Sequence, residues 1–107
     1  LRGAKLVEVN LEGSKLREVN LVQADLAGAN LGSADLAQSN LKQANLRGAN
    51  VEKASLIHAN LQEADLQGLQ NITIIQLSKA RSLRNARLDQ PIYDQLIEEY
   101  PKLFGQD

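Results

Sequence analysis

Leucine recurs every five residues through the first part of the chain. It stands at 1, 6, 11, 16, 21, 26, 31, 36, 41, 46, 56, 61 and 66, and Val51 fills the one gap in the series. Two residues before each of these positions lies a small or modest side chain, as at Ala4, Ser14, Ala24, Ala44 and Ala64, with Val9 and Val19 the largest. The residue immediately before is Asn, Asp, Lys or Ser, and is Asn at 10, 20, 30, 40, 45, 50 and 60. The unit is Ala-Asn/Asp-Leu-x-x.

Neither regular element accommodates this period. On an α-helix, at about 100° per residue, a step of five turns each leucine about 140° from the last, so no apolar stripe forms. On a flat strand an odd period sends successive leucines to opposite faces. A chain that bends once per repeat resolves the conflict. Each short extended piece turns a corner, its Leu points inward again, and the small residue two before it shares that side. With corners of about 90°, four repeats close one coil of roughly twenty residues.

The runs Ala24-Asp25-Leu26, Ala29-Asn30-Leu31, Ala44-Asn45-Leu46 and Ala64-Asp65-Leu66 resemble the pentapeptide-repeat proteins, which are abundant in cyanobacteria. Fourteen near-consecutive repeats over residues 1 to about 70 carry the resemblance. It implies an all-β solenoid, a right-handed quadrilateral β-helix of about 3.5 coils over residues 1–70, with 71–107 as a C-terminal α-helical cap on its end.

A coil of twenty places residues n and n+20 one above the other, about 4.8 Å apart, so residues 1–70 make a stub roughly 17 Å tall. The expected core is then a set of vertical columns: Leu6-Leu26-Leu46-Leu66, Leu21-Leu41-Leu61 and Ala24-Ala44-Ala64. A narrow bore filled with Leu and Ala has no room for rings, which agrees with a chain holding one Phe, two Tyr and no Trp. Two walls carry unbroken amide columns, Asn10-Asn30-Asn50 and Asn20-Asn40-Asn60, whose side chains are expected to hydrogen-bond up and down as ladders. The other two place Lys5 over Asp25 and Lys15 over Asp35. Gly28-Gly48-Gly68 forms a column at a corner that wants positive φ.

The register breaks at Leu69-Gln70-Asn71-Ile72, because the next core slot would be Asn71. Beyond it, Thr73 and Gln76 have capping-box spacing and predict a helix over about 74–81, with Ile74, Leu77 and Ala80 on one side. Leu83 and Leu88, with Ala86 between them, suggest one further turn of repeat-like chain. Asp89 is the expected cap of a second helix with Pro91 near its start, Ile92, Leu96 and Tyr100 on one side, and Pro101 ending it. All three aromatics, Tyr93, Tyr100 and Phe104, fall in this tail and are expected to plug the bore and cover its edge strands. The N-terminal end carries no comparable cap.

Most chemistries are excluded by composition or spacing. With no Cys and one histidine, His58, there is no disulfide framework, thiol nucleophile or tight transition-metal site. Ser14 and Ser39 fall in inward slots, so neither suits a Ser-His-Asp arrangement, and no catalytic, cofactor-binding or metal residue is assigned. Asn71-Ile72-Thr73 matches a glycosylation acceptor, but the capping role of Thr73 explains it better. The repeats hold no aromatic on which a base could stack, so no direct contact with nucleic acid is expected. No apolar run approaches the ~20 residues of a membrane span.

The expected function is therefore a non-enzymatic structural or interaction module whose partner is another protein, with no cofactor. The alternative implied by the resemblance is a DNA-mimicking inhibitor or protector of a type II topoisomerase, DNA gyrase, as in the fluoroquinolone-resistance members. Those members pair through their C-terminal ends, so a homodimer through the cap is a second expectation. The repeats here carry seven basic and eight acidic side chains, far from the strongly negative surface that mimicry needs. The chain begins at Leu1 and shows no signal peptide. A cytoplasmic site is expected, or the thylakoid lumen or periplasm if a signal peptide has been removed upstream.

Overall fold

Parallel backbone bridges join residues twenty apart along four lines: Lys5-Asp25-Asn45-Asp65, Asn10-Asn30-Asn50-Gln70, Lys15-Asp35-Ser55 and Asn20-Asn40-Asn60. Four bridges per coil make the cross-section four-sided. The computed structural model describes residues 1–105. Each repeat builds one wall, and the walls are named below by the columns Leu21-Leu41-Leu61, Leu26-Leu46-Leu66, Leu31-Val51 and Leu36-Leu56.

The repeat succeeds because each of its five backbone donors finds a partner. In the unit around Leu26, the Leu26 N–H donates to Asn45 O at 2.7 Å and the Gly28 N–H to Arg47 O at 2.8 Å, both in the coil above. The Asn30 N–H donates to Val9 O at 3.0 Å in the coil below, and the Ala29 N–H closes the corner on Leu26 O at 3.0 Å. The fifth donor, Ala27 N–H, is taken by the side-chain Oδ1 of Asp25 at 3.2 Å. Backbone groups buried in a stacked coil must be paired, and this set leaves none of the five open. The corner has positive φ at its third residue, as in a type II turn: +67° at Gly28, but also 61° at Gln43 and 57° at His58. For an L-residue that conformation costs about 1–2 kcal/mol, held in place by the bonds on either side.

Inside, Leu21, Leu26, Leu41, Leu46, Leu61 and Leu66 and the column Ala24-Ala44-Ala64 are all buried. Leu6, placed by the sequence in the same core, is half-buried, because as a member of the first coil it has a leucine on one side only. Ser39 occupies an inward slot and is buried, its hydroxyl donating to Leu36 O at 2.6 Å.

The break near residue 70 is an insertion. A short helix, α1 (Ile74–Ser78), follows, and pairing then resumes with Asn60 beside Ser82 and Asp65 beside Arg87, now 22 residues apart. Backbone pairing thus continues beyond the expected limit at 70, and Leu83 is buried above Leu61. The helix is shorter than the predicted 74–81. His58 N–H donates to Lys79 O and Arg81 N–H to Ala59 O, both at 2.8 Å, and these bonds draw the chain back onto the wall. The Thr73–Gln76 capping box is present. Helix α2 (Gln90–Glu99) and a 3-10 turn, η1 (Pro101–Phe104), complete the described chain, and α2 packs against both α1 and η1.

The upper edge of the coil is closed by substitutes for a further coil. Gln76 Nε2 donates to Ala54 O at 3.0 Å, where a next rung would have supplied a backbone N–H, and to Val51 O at 2.8 Å, which also takes the corner bond from the Ala54 N–H. The Gly68 N–H, whose counterpart Gly28 donates to a carbonyl of the coil above, donates instead to the Asp89 carboxylate at 3.1 Å. The Leu83 N–H donates to Leu103 O at 2.7 Å. Asp89 stands at the start of α2 but makes no side-chain bond to it, contrary to its expected capping role, because it serves the coil.

The aromatics do not fill the bore as expected. Leu77, Leu83, Leu96 and Leu103 are the buried residues at this end, while Ile92 and Phe104 are half-buried against them. Phe104 packs edge-to-face with Tyr93, ring centres 5.3 Å apart. Tyr100 follows α2 as its C-terminal cap, with φ −135° and ψ 57°, and its side chain is exposed.

Replacing Leu41 by Ala is expected to lower stability by about 2–5 kcal/mol, and the same change at half-buried Leu6 by well under half of that, measured by denaturant unfolding. Gln76→Ala, which removes the donor from the part-buried Ala54 carbonyl, is expected to cost about 1–2 kcal/mol; Asp89→Ala, whose partner Gly68 is exposed, is expected to cost less than about 1 kcal/mol and to raise amide exchange at Gly68.

Candidate interaction surfaces

The outward positions are the residue before each leucine and the two after it. Sequence stacking places Asn10, Asn30 and Asn50 in one column and Asn20, Asn40 and Asn60 in another, and their backbones do pair. Their side chains, however, do not form amide ladders. Asn10 Oδ1 accepts the Glu12 N–H, Asn20 the Val22 N–H, Asn30 the Gly32 N–H, Asn40 the Lys42 N–H, Asn50 the Glu52 N–H and Asn60 the Gln62 N–H, all at 3.0–3.1 Å. Asp25, Asp35, Asn45 and Asp65 do the same. The physical reason is local: the amide two residues on has no other acceptor, and a short side-chain oxygen reaches it at no cost in register.

Asn45 Nδ2 does reach Asp25 in the coil below at 3.3 Å, and a longer side-chain ladder runs up a corner of the Leu21-Leu41-Leu61 wall. Gln23 Nε2 donates to Gln43 Oε1 at 3.1 Å, and Gln43 Nε2 to Glu63 Oε1 at 3.3 Å. The signal was present as three long polar side chains twenty apart. The expected Lys–Asp stacks are likewise replaced by a diagonal. Arg17 pairs with Asp35 at 3.6 Å and Arg47 with Asp65 at 3.3 Å, each reaching from one leucine's far side to the polar slot of the next coil. Asn30 Nδ2 reaches Glu12 along the same diagonal at 3.3 Å. The arginines in these pairs are well exposed, and such pairs contribute at most about 1 kcal/mol each.

No reacting constellation assembles among the described residues. His58 is exposed at a corner of the Leu36-Leu56 wall. The Ser14 and Ser39 hydroxyls point inward and donate to Leu11 O and Leu36 O. No group of three or more His, Cys, Asp or Glu among the described residues is placed to hold a metal ion. None of the described helices is long and apolar enough to cross a membrane. Concave space lies at the C-terminal end. A surface cavity of about 410 Å³ is lined by Arg81, Tyr100, Pro101, Lys102 and Leu103, with Glu99 on its wall. A second, of about 500 Å³, opens between Glu52 and Lys53 on the coil and Ile72 and Thr73 ahead of α1. The exposed large apolar side chains among the described residues are Leu1, Val7, Ile57 and Ile75, with the ring of Tyr100.

A search of curated proteins finds no match. Among solved structures, a pentapeptide repeat protein from the Arabidopsis thaliana thylakoid lumen matches with TM-score 0.65 and 28% identity, over 91% of this chain and 70% of that one. QnrB1, a plasmid-mediated fluoroquinolone resistance protein, matches with TM-score 0.66 and 19% identity over 86% of this chain, which spans only 42% of QnrB1's length. A pentapeptide repeat protein of the cyanobacterium Cyanothece 51142 shares 34% identity over 76% of this chain and 54% of that one, with TM-score 0.37. The family model for pentapeptide repeats matches eight copies, over residues 1–32 and 34–68. With four bridges to a coil and that match over more than half its length, the chain belongs to the pentapeptide-repeat family, whose fold is the right-handed quadrilateral β-helix.

Proposed function

We propose that this chain is a non-enzymatic scaffold that presents rigid, side-chain-decorated walls to a protein partner. One observation carries the reading. The interior is filled by aliphatic side chains and the five donors of a repeat are internally bonded, so every group left for recognition sits outside, at a fixed rung spacing. A pre-ordered surface loses little entropy on binding. The coil of residues 1–70, prolonged by the pairing at 82–87, is the recognition element. The helical segment beyond 71 is its terminator, with Thr73 and Leu77 fixing α1 and Ile92, Leu96 and Phe104 covering the last leucines. Because Gly68, Val51, Ala54 and Leu83 are bonded within the chain, strand pairing at this end is not the route to a homodimer.

Likeness in fold to QnrB1 supports a second reading, protection or inhibition of a type II topoisomerase by mimicry of duplex DNA. Charge weighs against it. Lys79, Arg81, Arg84 and Arg87 are exposed in and just ahead of the resumed pairing, where a duplex mimic would be negative.

The full chain, immobilised, is expected to retain a specific protein from a native extract, and Leu41→Asp, which disrupts the bore, is expected to lose it. Turnover of a small-molecule substrate by the purified chain would contradict the scaffold reading. DNA gyrase supercoiling is expected to proceed unchanged with the chain present at stoichiometric amounts; inhibition at that ratio would favour mimicry.

A further inference from the structure

Cations gather at the C-terminal end of the solenoid, where Lys79, Arg81, Arg84, Arg87 and Lys102 are all exposed. Arg17 and Arg47 are paired with aspartates, whereas Arg81, Arg84 and Lys102 are exposed and make no ion pair with any described residue. They converge on η1. Arg81 and Lys102 line the 410 Å³ cavity, and Arg84 lies over Gly105, the residue that ends η1, with its Cδ 3.6 Å from where a side chain on that glycine would begin. The cavity floor is apolar, made by Pro101, the exposed ring of Tyr100 and the buried Leu103. Glu99 is the one acid on its lining.

Both sides of this cavity are tied to the coil through backbone. The Arg81 N–H donates to Ala59 O at 2.8 Å, and Leu103 accepts the Leu83 N–H through its carbonyl and donates its own N–H to Tyr100 O at 3.1 Å. The positions of the two cations' backbones are therefore set before any ligand arrives, which lowers the ordering cost of binding. Arg84 and Arg87, both exposed, follow Arg81 along the resumed rung that pairs Ser82 with Asn60 and Arg87 with Asp65.

We propose that this end of the molecule binds an acidic segment of a protein partner that carries one large apolar side chain. The apolar side chain enters the cavity, against Tyr100, Pro101 and Leu103, and carboxylates on either side of it meet Arg81, Lys102 and Arg84. The depression has room for a large apolar side chain, and an apolar anchor flanked by complementary charge is a form that short recognition sites take. The inference rests on the scaffold reading and names the partner's chemistry.

The test uses the full chain and a fluorescein-labelled peptide with one phenylalanine flanked on each side by two glutamates, followed by anisotropy at low salt. Saturable binding is expected. An analogue with glycine for phenylalanine is expected to bind at least about tenfold more weakly, as is the original peptide to a chain carrying Arg81→Glu with Lys102→Glu. Arg2→Glu, at the opposite end, is expected to leave affinity within about twofold. If the charge-reversed pair unfolds the chain, Arg81→Gln with Lys102→Gln gives the same readout. Absence of saturable binding, equal affinity for the glycine analogue, or an equal loss with Arg2→Glu would overturn the proposal. A partner from the extract that is still retained by the Arg81→Glu, Lys102→Glu chain would overturn this site alone and leave the scaffold reading standing.

Discussion

The amide that follows each leucine is the one donor of the repeat that no backbone carbonyl takes. The other four are used by the coils above and below and by the corner itself, and the fifth is closed by the side-chain oxygen of the residue before the leucine. That requirement decides the composition of the polar column: Asn and Asp have a short acceptor at the right distance, and Lys has none. Once all five are paired, a twenty-residue coil can be stacked without burying an open polar group, and the leucine and alanine columns follow from the stacking.

Growth by identical rungs creates a difficulty at the ends, because an unfinished coil leaves backbone groups and apolar side chains open. The chain meets it at the C-terminal side by imitation. A glutamine amide stands in for a missing N–H group, an aspartate carboxylate and a carbonyl of a 3-10 turn stand in for missing acceptors, and four leucines complete the apolar column. The same construction fixes a cavity and two of the cations beside it, Arg81 and Lys102. Closure of the coil and placement of the surface proposed for recognition are thus one piece of structure.

Much of this architecture was legible in the period of five. Leu26 and Leu46, or Ala24 and Ala44, could be stacked on paper because period and alternation leave them no other common direction. The Thr73–Gln76 capping box was legible because both partners lie within one turn. The Asn columns were legible as columns, but an amide can bond along the stack or back onto its own chain, and only the count of backbone donors settles which. Ion pairs were misplaced because Lys5 and Asp25 share a backbone bridge, while the side chains that meet, such as Arg47 and Asp65, lie on a diagonal. Helical spacing grouped Tyr100 with Ile92 and Leu96, yet Pro101 ends α2 there and Leu103 takes the buried place. The role of Asp89 depended on Gly68, twenty-one residues away, and no local pattern carried it.

Residue-resolved amide hydrogen exchange tests the central claim most directly. Within the interior coils, Ala37, Lys42 and Arg47 follow residues whose side-chain oxygens take their N–H groups, whereas Ile57 follows Ser55, which makes no such bond. The account expects slow exchange at all five amides of the repeats between Leu21 and Asn50, with Ile57 exchanging markedly faster than Ala37, Lys42 or Arg47. Equal protection at Ile57, or protection that follows a helical run instead of a period of five, would contradict it.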